Sequence, residues 1–203
     1  PPGGDAGVDA GGDETDAATV PTDAAEATGE LRGVWITRFA SDLGLALARS
    51  GRLAEAVPLL ERAVARNLSV AGQASFVAAL AEGYALAGRG SEAQRHADRA
   101  LEIARQHHDR GTEAWGHRLV GELAAESAPA AAVTSLGQAL GLAEELQMRP
   151  LVAHTHLALG KIAARDGKRE TALSHLTTAW SLYSDMQMER GATETLELLT
   201  KLR

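Results

Sequence analysis

The residues in this chain whose types could do chemistry are two Gly-Lys pairs, seven histidines and a scatter of serines among acids. "LGKIAARDGKRE", Leu159 to Glu170, sets Gly160-Lys161 seven residues before Gly167-Lys168. A phosphate-cradling P-loop needs four residues between its glycines and a Ser or Thr directly after its Lys. Backbone N–H groups then wrap the phosphates while the hydroxyl reaches Mg²⁺. Here six residues separate Gly160 from Gly167, Arg169 follows Lys168, and the approach "AHTHLAL" is no β-branched strand. Spacing, hydroxyl and context all exclude that chemistry.

The histidines fare no better as metal ligands. His154 and His156 stand two apart, which on a helix turns them about 200° from one another. His107 and His108 are adjacent and meet the same objection. No pair has the i, i+4 spacing of a helical zinc site, and the chain has no cysteine to supply a thiolate. No G-x-S-x-G elbow raises a serine nucleophile. Neither catalysis nor a metal or other cofactor is expected.

What must these residues be mounted on? Aromatics make up 3% of the 203 residues and alanine is abundant, which suits closely packed helices better than β-sheets. No apolar run approaches the roughly 20 residues of a membrane span. The N-terminus lacks the charged and apolar regions of a signal peptide. A soluble, cytoplasmic protein with no membrane partner is the expectation. The net charge of −7 is local. Residues 1–30 hold eight acids and no Lys or Arg, which leaves the remainder at +1. That balance argues against nucleic acid, whose binders usually show a clustered basic face.

Residues 1–30 are Gly, Ala, Asp and Thr with two Val and no aromatic. They cannot bury enough apolar area to offset their ordering entropy, and read as a disordered acidic linker or tail ahead of a folded body from 31 to 203. In the body, "DLGLALARSGRLAEAVPLLERAV" (42–64), "ALAEGYALAGRGSEAQRHADRAL" (79–101) and "ALGKIAARDGKRETALSHLTTAW" (158–180) share one frame. A small residue is followed by Gly seven positions on and Ala five later: Gly44/Gly51/Ala56, Ala81/Gly88/Ala93, Gly160/Gly167/Ala172. Leu60, Ala97 and Leu176 follow, then Ala63, Ala100 and Ala179. "RLVGELAAESAPAAAVTSLGQAL" (118–140) is a degenerate copy with Gly121, Ala132, Leu136 and Ala139, and Pro129 in its shortened turn.

This pattern resembles the tetratricopeptide (TPR) repeat, a helix–turn–helix unit of nominally 34 residues. Small residues at 44, 81, 121 and 160 would let a first helix A meet a second helix B, and glycines 51, 88 and 167 would end helix A in a left-handed conformation. Gly160 and Gly167 are then packing and turn residues, not phosphate ligands. Residues 71–188, above all "ELQMRPLVAHTHLALGK", are similar to the C-terminal repeat region of certain bacterial multidomain proteins. Those proteins carry a class III nucleotide cyclase domain and an AAA-type ATPase domain upstream. No cyclase aspartates or Walker motifs occur in this chain.

The resemblance implies an all-α, right-handed solenoid of about four hairpins plus a capping helix near 191–202. Glu194, Glu197, Lys201 and Arg203 would give that helix a polar outer face. Trp35, Trp115 and Trp180 would pack between repeats, with Trp180 against the final helix. The concave wall would be lined by Arg38, Ser41, Leu45 and Arg49, then Ser75, Ala78, Glu82 and Leu86. Trp115, Arg118 and Glu122 follow, and His154, Leu157, Lys161 and Arg165 complete it. In that wall Arg118 would grip a partner carboxylate, Lys161 and Arg165 would extend the basic strip, and Glu82 and Glu122 would repel acids. Asn67 lies outside it. The implied function is a protein-interaction module within a larger bacterial signalling or transcription-control protein. Its partner would be a protein, a peptide or other domains of the same polypeptide. The alternative is a ligand- or peptide-sensing domain that gates an attached ATPase or cyclase.

Overall fold

A computed structural model describes the backbone of residues 22–66 and 72–202, with side chains from Trp35 onward. Its helices are α1 (Thr22–Arg49), α2 (Leu53–Arg66), α3 (Gln73–Leu86), α4 (Gly90–Gln106), α5 (Arg110–Ala124), α6 (Pro129–Glu145), α7 (Arg149–Arg165), α8 (Arg169–Asp185) and α9 (Glu189–Lys201). No strand occurs among the described residues. Val34–Arg203 forms one compact unit, and the first part of α1, up to Gly33, falls outside it. Of the expected acidic tail, 1–21 lie outside the described residues and 22–30 are helical, as the alanines and glutamate of "DAAEA" favour.

The frame read from the sequence is the packing frame. A Cβ added at Gly44, Gly121 or Gly160 would meet the Leu60, Leu136 or Leu176 side chain at 2.8, 2.6 or 2.7 Å respectively. Where the A position is Ala81, the B position is Ala97, and both are fully buried. Gly–Leu and Ala–Ala are two ways of filling one gap between helices held at close range. Each later B helix carries a matching stripe with no exposed surface: Ala93, Ala97, Ala100 and Ala104 on α4, then Ala132, Leu136, Ala139 and Ala143 on α6, then Ala172, Leu176, Ala179 and Tyr183 on α8.

Two kinds of turn alternate. The A-to-B turns use Gly51, Gly88 and Gly167 at φ 84°, 73° and 73°. The B-to-A turns place His108, Gln147 and Gln187 in the left-handed region at φ 54°, 55° and 57°. No glycine marks these in the sequence.

Two tryptophans are corrected. Trp180 is 39% exposed, and Tyr183 of α8 packs on the final helix, its ring 2.7 Å from where a Cβ on Gly191 would stand. Trp35 is also exposed, alongside Ile36, Phe39 and Leu43. The capping helix α9 does present Glu197 and Lys201 to solvent, while Arg203 is outside the described residues.

Candidate interaction surface on the A helices

The residues read from the sequence as an inner wall lie on the A helices α1, α3, α5 and α7, of which α3 touches α5 and α5 touches α7. Its centre is a charge cluster assembled from three of them. Arg118 of α5 donates through Nη2 to Glu82 Oε2 of α3 at 2.7 Å, and through Nη1 to Glu122 at 2.7 and 2.8 Å. Arg49 of α1 donates to the other Glu82 oxygen at 2.7 Å, and the Trp115 indole N–H donates to Oε2 at 2.9 Å. Burial pushes the Glu82 carboxyl up, but Arg118, Arg49 and Trp115 together outweigh it and hold it down at about 2. Burial likewise disfavours the charge on Arg118, and Glu122 and Glu82 overcome that and raise its pKa. Its Nε–H is buried with no partner among the described residues.

Arg118 and Glu82 are therefore internal to the wall. The carboxylates at Arg118 belong to the chain itself and leave no fork open to a partner. The sequence placed these residues in one groove but could not tell that they would neutralise each other, because that depends on the lateral distance between repeats.

The other wall residues divide by exposure. Ser41, Ala78 and Leu157 are buried, and Leu45 packs with Trp115 against the Leu80–Tyr84 cluster. Ser75 Oγ donates to the Gly72 carbonyl at 2.8 Å at the start of its own helix. Arg38 pairs with Asp42 at 3.2 Å, with both exposed. Leu86 stands 44% exposed. Lys161 pairs with Glu194 of α9 at 2.5 Å, which brings that acid to the inner surface and away from the outer face expected for it. Arg165 reaches the Ala125 carbonyl, and Arg190 of α9 reaches the Arg49 carbonyl at the end of α1. Both place cations at orphan carbonyls of helix ends.

Two histidine contacts were beyond sequence reasoning. His154 Nδ1 lies 2.7 Å from the Tyr183 hydroxyl; burial, then Arg118 and Arg49, pull its pKa down to about 4. His156 and His175, on α7 and α8, bring their Nδ1 atoms within 2.8 Å. Burial lowers both. Among the described residues no group of three or more His, Cys, Asp or Glu converges as a metal site. No described helix is long and apolar enough to cross a membrane.

No protein-family model matches this chain, and no curated protein does. Solved structures do. BtubC (BKLC) from P. vanneervenii matches with a TM-score of 0.63 at 14% identity, over 89% of this chain and 85% of that one. The apo form of RapI matches with a TM-score of 0.59 at 20% identity, over 89% of this chain and 51% of RapI. The chain thus spans about half of RapI's length. A kinesin light chain from Podosopora anserina with nearly identical TPR-like repeats matches at 18% identity and a TM-score of 0.49, over 81% and 93%. At these identities the likeness is one of fold. The chain folds as an all-α solenoid of helical hairpins. The alternating turns and the Gly–Leu and Ala–Ala contacts are what that solenoid requires, hairpin by hairpin.

Proposed function

We propose that this chain is a protein–protein interaction module and that a polypeptide segment docks along the inner surface of its A helices. The observation that carries this reading is the division of that surface into a fixed wall and an exchangeable rim. Arg118 and Glu82 are buried and mutually neutralised, and breaking such a pair is costly. Lys161 and Arg165 instead hold exposed positions, and the exposed Lys161–Glu194 pair contributes little, so a partner's carboxylates could take its place. Leu86, at the end of α3, adds exposed apolar area. A segment with acidic residues flanking an apolar one fits this rim. The resemblance of residues 71–188 supports placing the module in the regulatory part of a larger bacterial signalling or transcription-control protein.

The test is affinity capture with three immobilised forms: the parent, an inner-surface variant (Leu86→Asp with Lys161→Glu) and an outer-surface variant (Val133→Asp on α6). Polypeptides retained by the parent and the outer variant but lost from the inner variant support the reading. Equal retention by all three rejects it.

A further inference from the structure

The repeat frame gives every A helix a flank that the preceding B helix covers. On α3 the Leu80 side chain shares a buried cluster with Val57 and Leu60 of α2. On α5 a Cβ at Gly116 would meet Leu101 of α4 at 2.8 Å. On α7 Leu151 packs with Ala143 of α6, and on α9 Leu199 packs with Tyr183 of α8. Two places recur on this flank. Phe39 of α1 corresponds to Phe76, Gly116, Thr155 and Thr195, and Leu43 to Leu80, Val120, Leu159 and Leu199. Phe76, Thr155, Thr195, Leu80, Leu159 and Leu199 are all buried. Phe39 is 65% exposed and Leu43 56%. Trp35, one turn before Phe39, extends the strip with its ring 6.2 Å from the Phe39 ring.

From this continuity with the four internal interfaces we propose that the open flank of α1 is a docking face for one more helical hairpin, whose B-type helix covers Trp35, Phe39 and Leu43. The occupant is defined by its chemistry. Its helix carries small residues at the spacing of Ala132, Ala139 and Ala143, as α6 does. Trp35 is bulky where Gly191 is small, so alanine must stand where Tyr183 stands in the last interface, as Ala143 does on α6. Among the described residues the one charge on this side of α1, Asp42, is already paired with Arg38.

Two other occupants fit less well. Residues 1–21 contain only Val8 and Val20 as apolar side chains larger than alanine apart from proline, too few for such a strip. A second copy has its B-helix stripes fully buried at home. This inference is independent of the inner-surface reading, because the flank lies on the other interface of α1.

The chain's lack of cysteine makes the test direct. Phe39→Cys, Leu43→Cys and, as a control on exposed Ser174 of α8, Ser174→Cys are each made singly. Each is made both in the full chain and in a version with a copy of residues 109–148, the α5–α6 hairpin, inserted between Arg32 and Gly33. This insertion keeps every residue of the chain, divides α1 after Arg32 and places the copied α6 in register ahead of the part of α1 that carries Trp35, Phe39 and Leu43. Maleimide labelling at positions 39 and 43 should slow at least about tenfold in the inserted version, as for sites that react only on local opening, with position 174 unchanged. Labelling at 39 and 43 as fast as in the parent overturns the proposal, as does an inserted hairpin that adds no helicity by circular dichroism. Sedimentation of the parent as a dimer with position 39 protected would assign the face to an α1–α1 contact and overturn it too.

Discussion

The Arg118 guanidinium and the Glu82 carboxylate, thirty-six residues apart in the chain, meet at 2.7 Å with side-chain exposures of 8% and 10%. This contact joins α5 to α3 and fixes the centre of the inner wall. Removing either partner leaves the other charge buried, which costs about 3 kcal/mol or more. Glu82→Leu should cost more than Arg118→Leu, since Arg49 and Trp115 lose their acceptor as well. The double variant should fall well short of the sum, because the charges that then lose a partner, Arg49 and Glu122, are partly exposed and no deeply buried charge is left unpaired. Urea midpoints provide the measurement; single-variant losses below about 1 kcal/mol would mean that the pair holds nothing in place.

The Gly–Leu and Ala–Ala contacts allow a swap. Gly160→Ala should destabilise by roughly 1–3 kcal/mol, because the new Cβ would stand 2.7 Å from the Leu176 side chain. Leu176→Ala alone opens a cavity and costs about 2–5 kcal/mol. Together they recreate the Ala81–Ala97 pair, so the double variant should recover a large part of the combined loss. Simple additivity in denaturant melts would show that the two sites do not share one gap.

Acid should weaken the fold in two stages. The folded-state values of His154, His117, His156 and His175 lie below the ordinary histidine range. Between those values and the unfolded value the unfolded chain binds more protons, so stability is lost as pH falls from about 6.5. For His154 that window extends to about 4. Glu82, held at about 2, contributes stability that is present above the unfolded carboxylate value and lost below it. His154→Phe should flatten the upper stage while leaving the lower one, read from melting temperature against pH. An unchanged upper stage would place that loss on other groups.

Features set by spacing along one helix, or between two helices of a hairpin, were legible in the sequence. Gly44, Gly121 and Gly160 against Leu60, Leu136 and Leu176, the turn glycines and the final helix all follow from local periodicity. Features set by the distance between successive hairpins were not. The neutralisation of Arg118 by Glu82 joins residues of successive hairpins. The His156–His175 and Tyr183–His154 contacts lie within the α7–α8 hairpin but depend on side-chain reach, which the small-residue frame does not specify. His108, Gln147 and Gln187 were silent because they adopt a left-handed backbone without being glycine. Trp35 and Trp180 misled because size was taken as burial, whereas no described helix covers Trp35 and Trp180 is left 39% exposed.

Lys161 and Leu86 should be dispensable to the fold. Lys161→Glu places an acid beside Glu194, yet both are exposed, so the cost should stay within roughly 0.5 kcal/mol. Thermal melts of Lys161→Glu and Leu86→Asp check this, and a loss of several kcal/mol would move both residues from rim to wall.

The central claim is that a polypeptide is recognised by the exposed rim of the A helices while the buried pair only holds the wall. Calorimetric titration of a polypeptide retained in the capture experiment, against the parent and against Leu86→Asp with Lys161→Glu, tests it most directly. The expected result is an affinity at least about tenfold weaker in the double variant, a difference of about 1.4 kcal/mol, with its melting temperature unchanged. Equal affinity for the two proteins would contradict the claim.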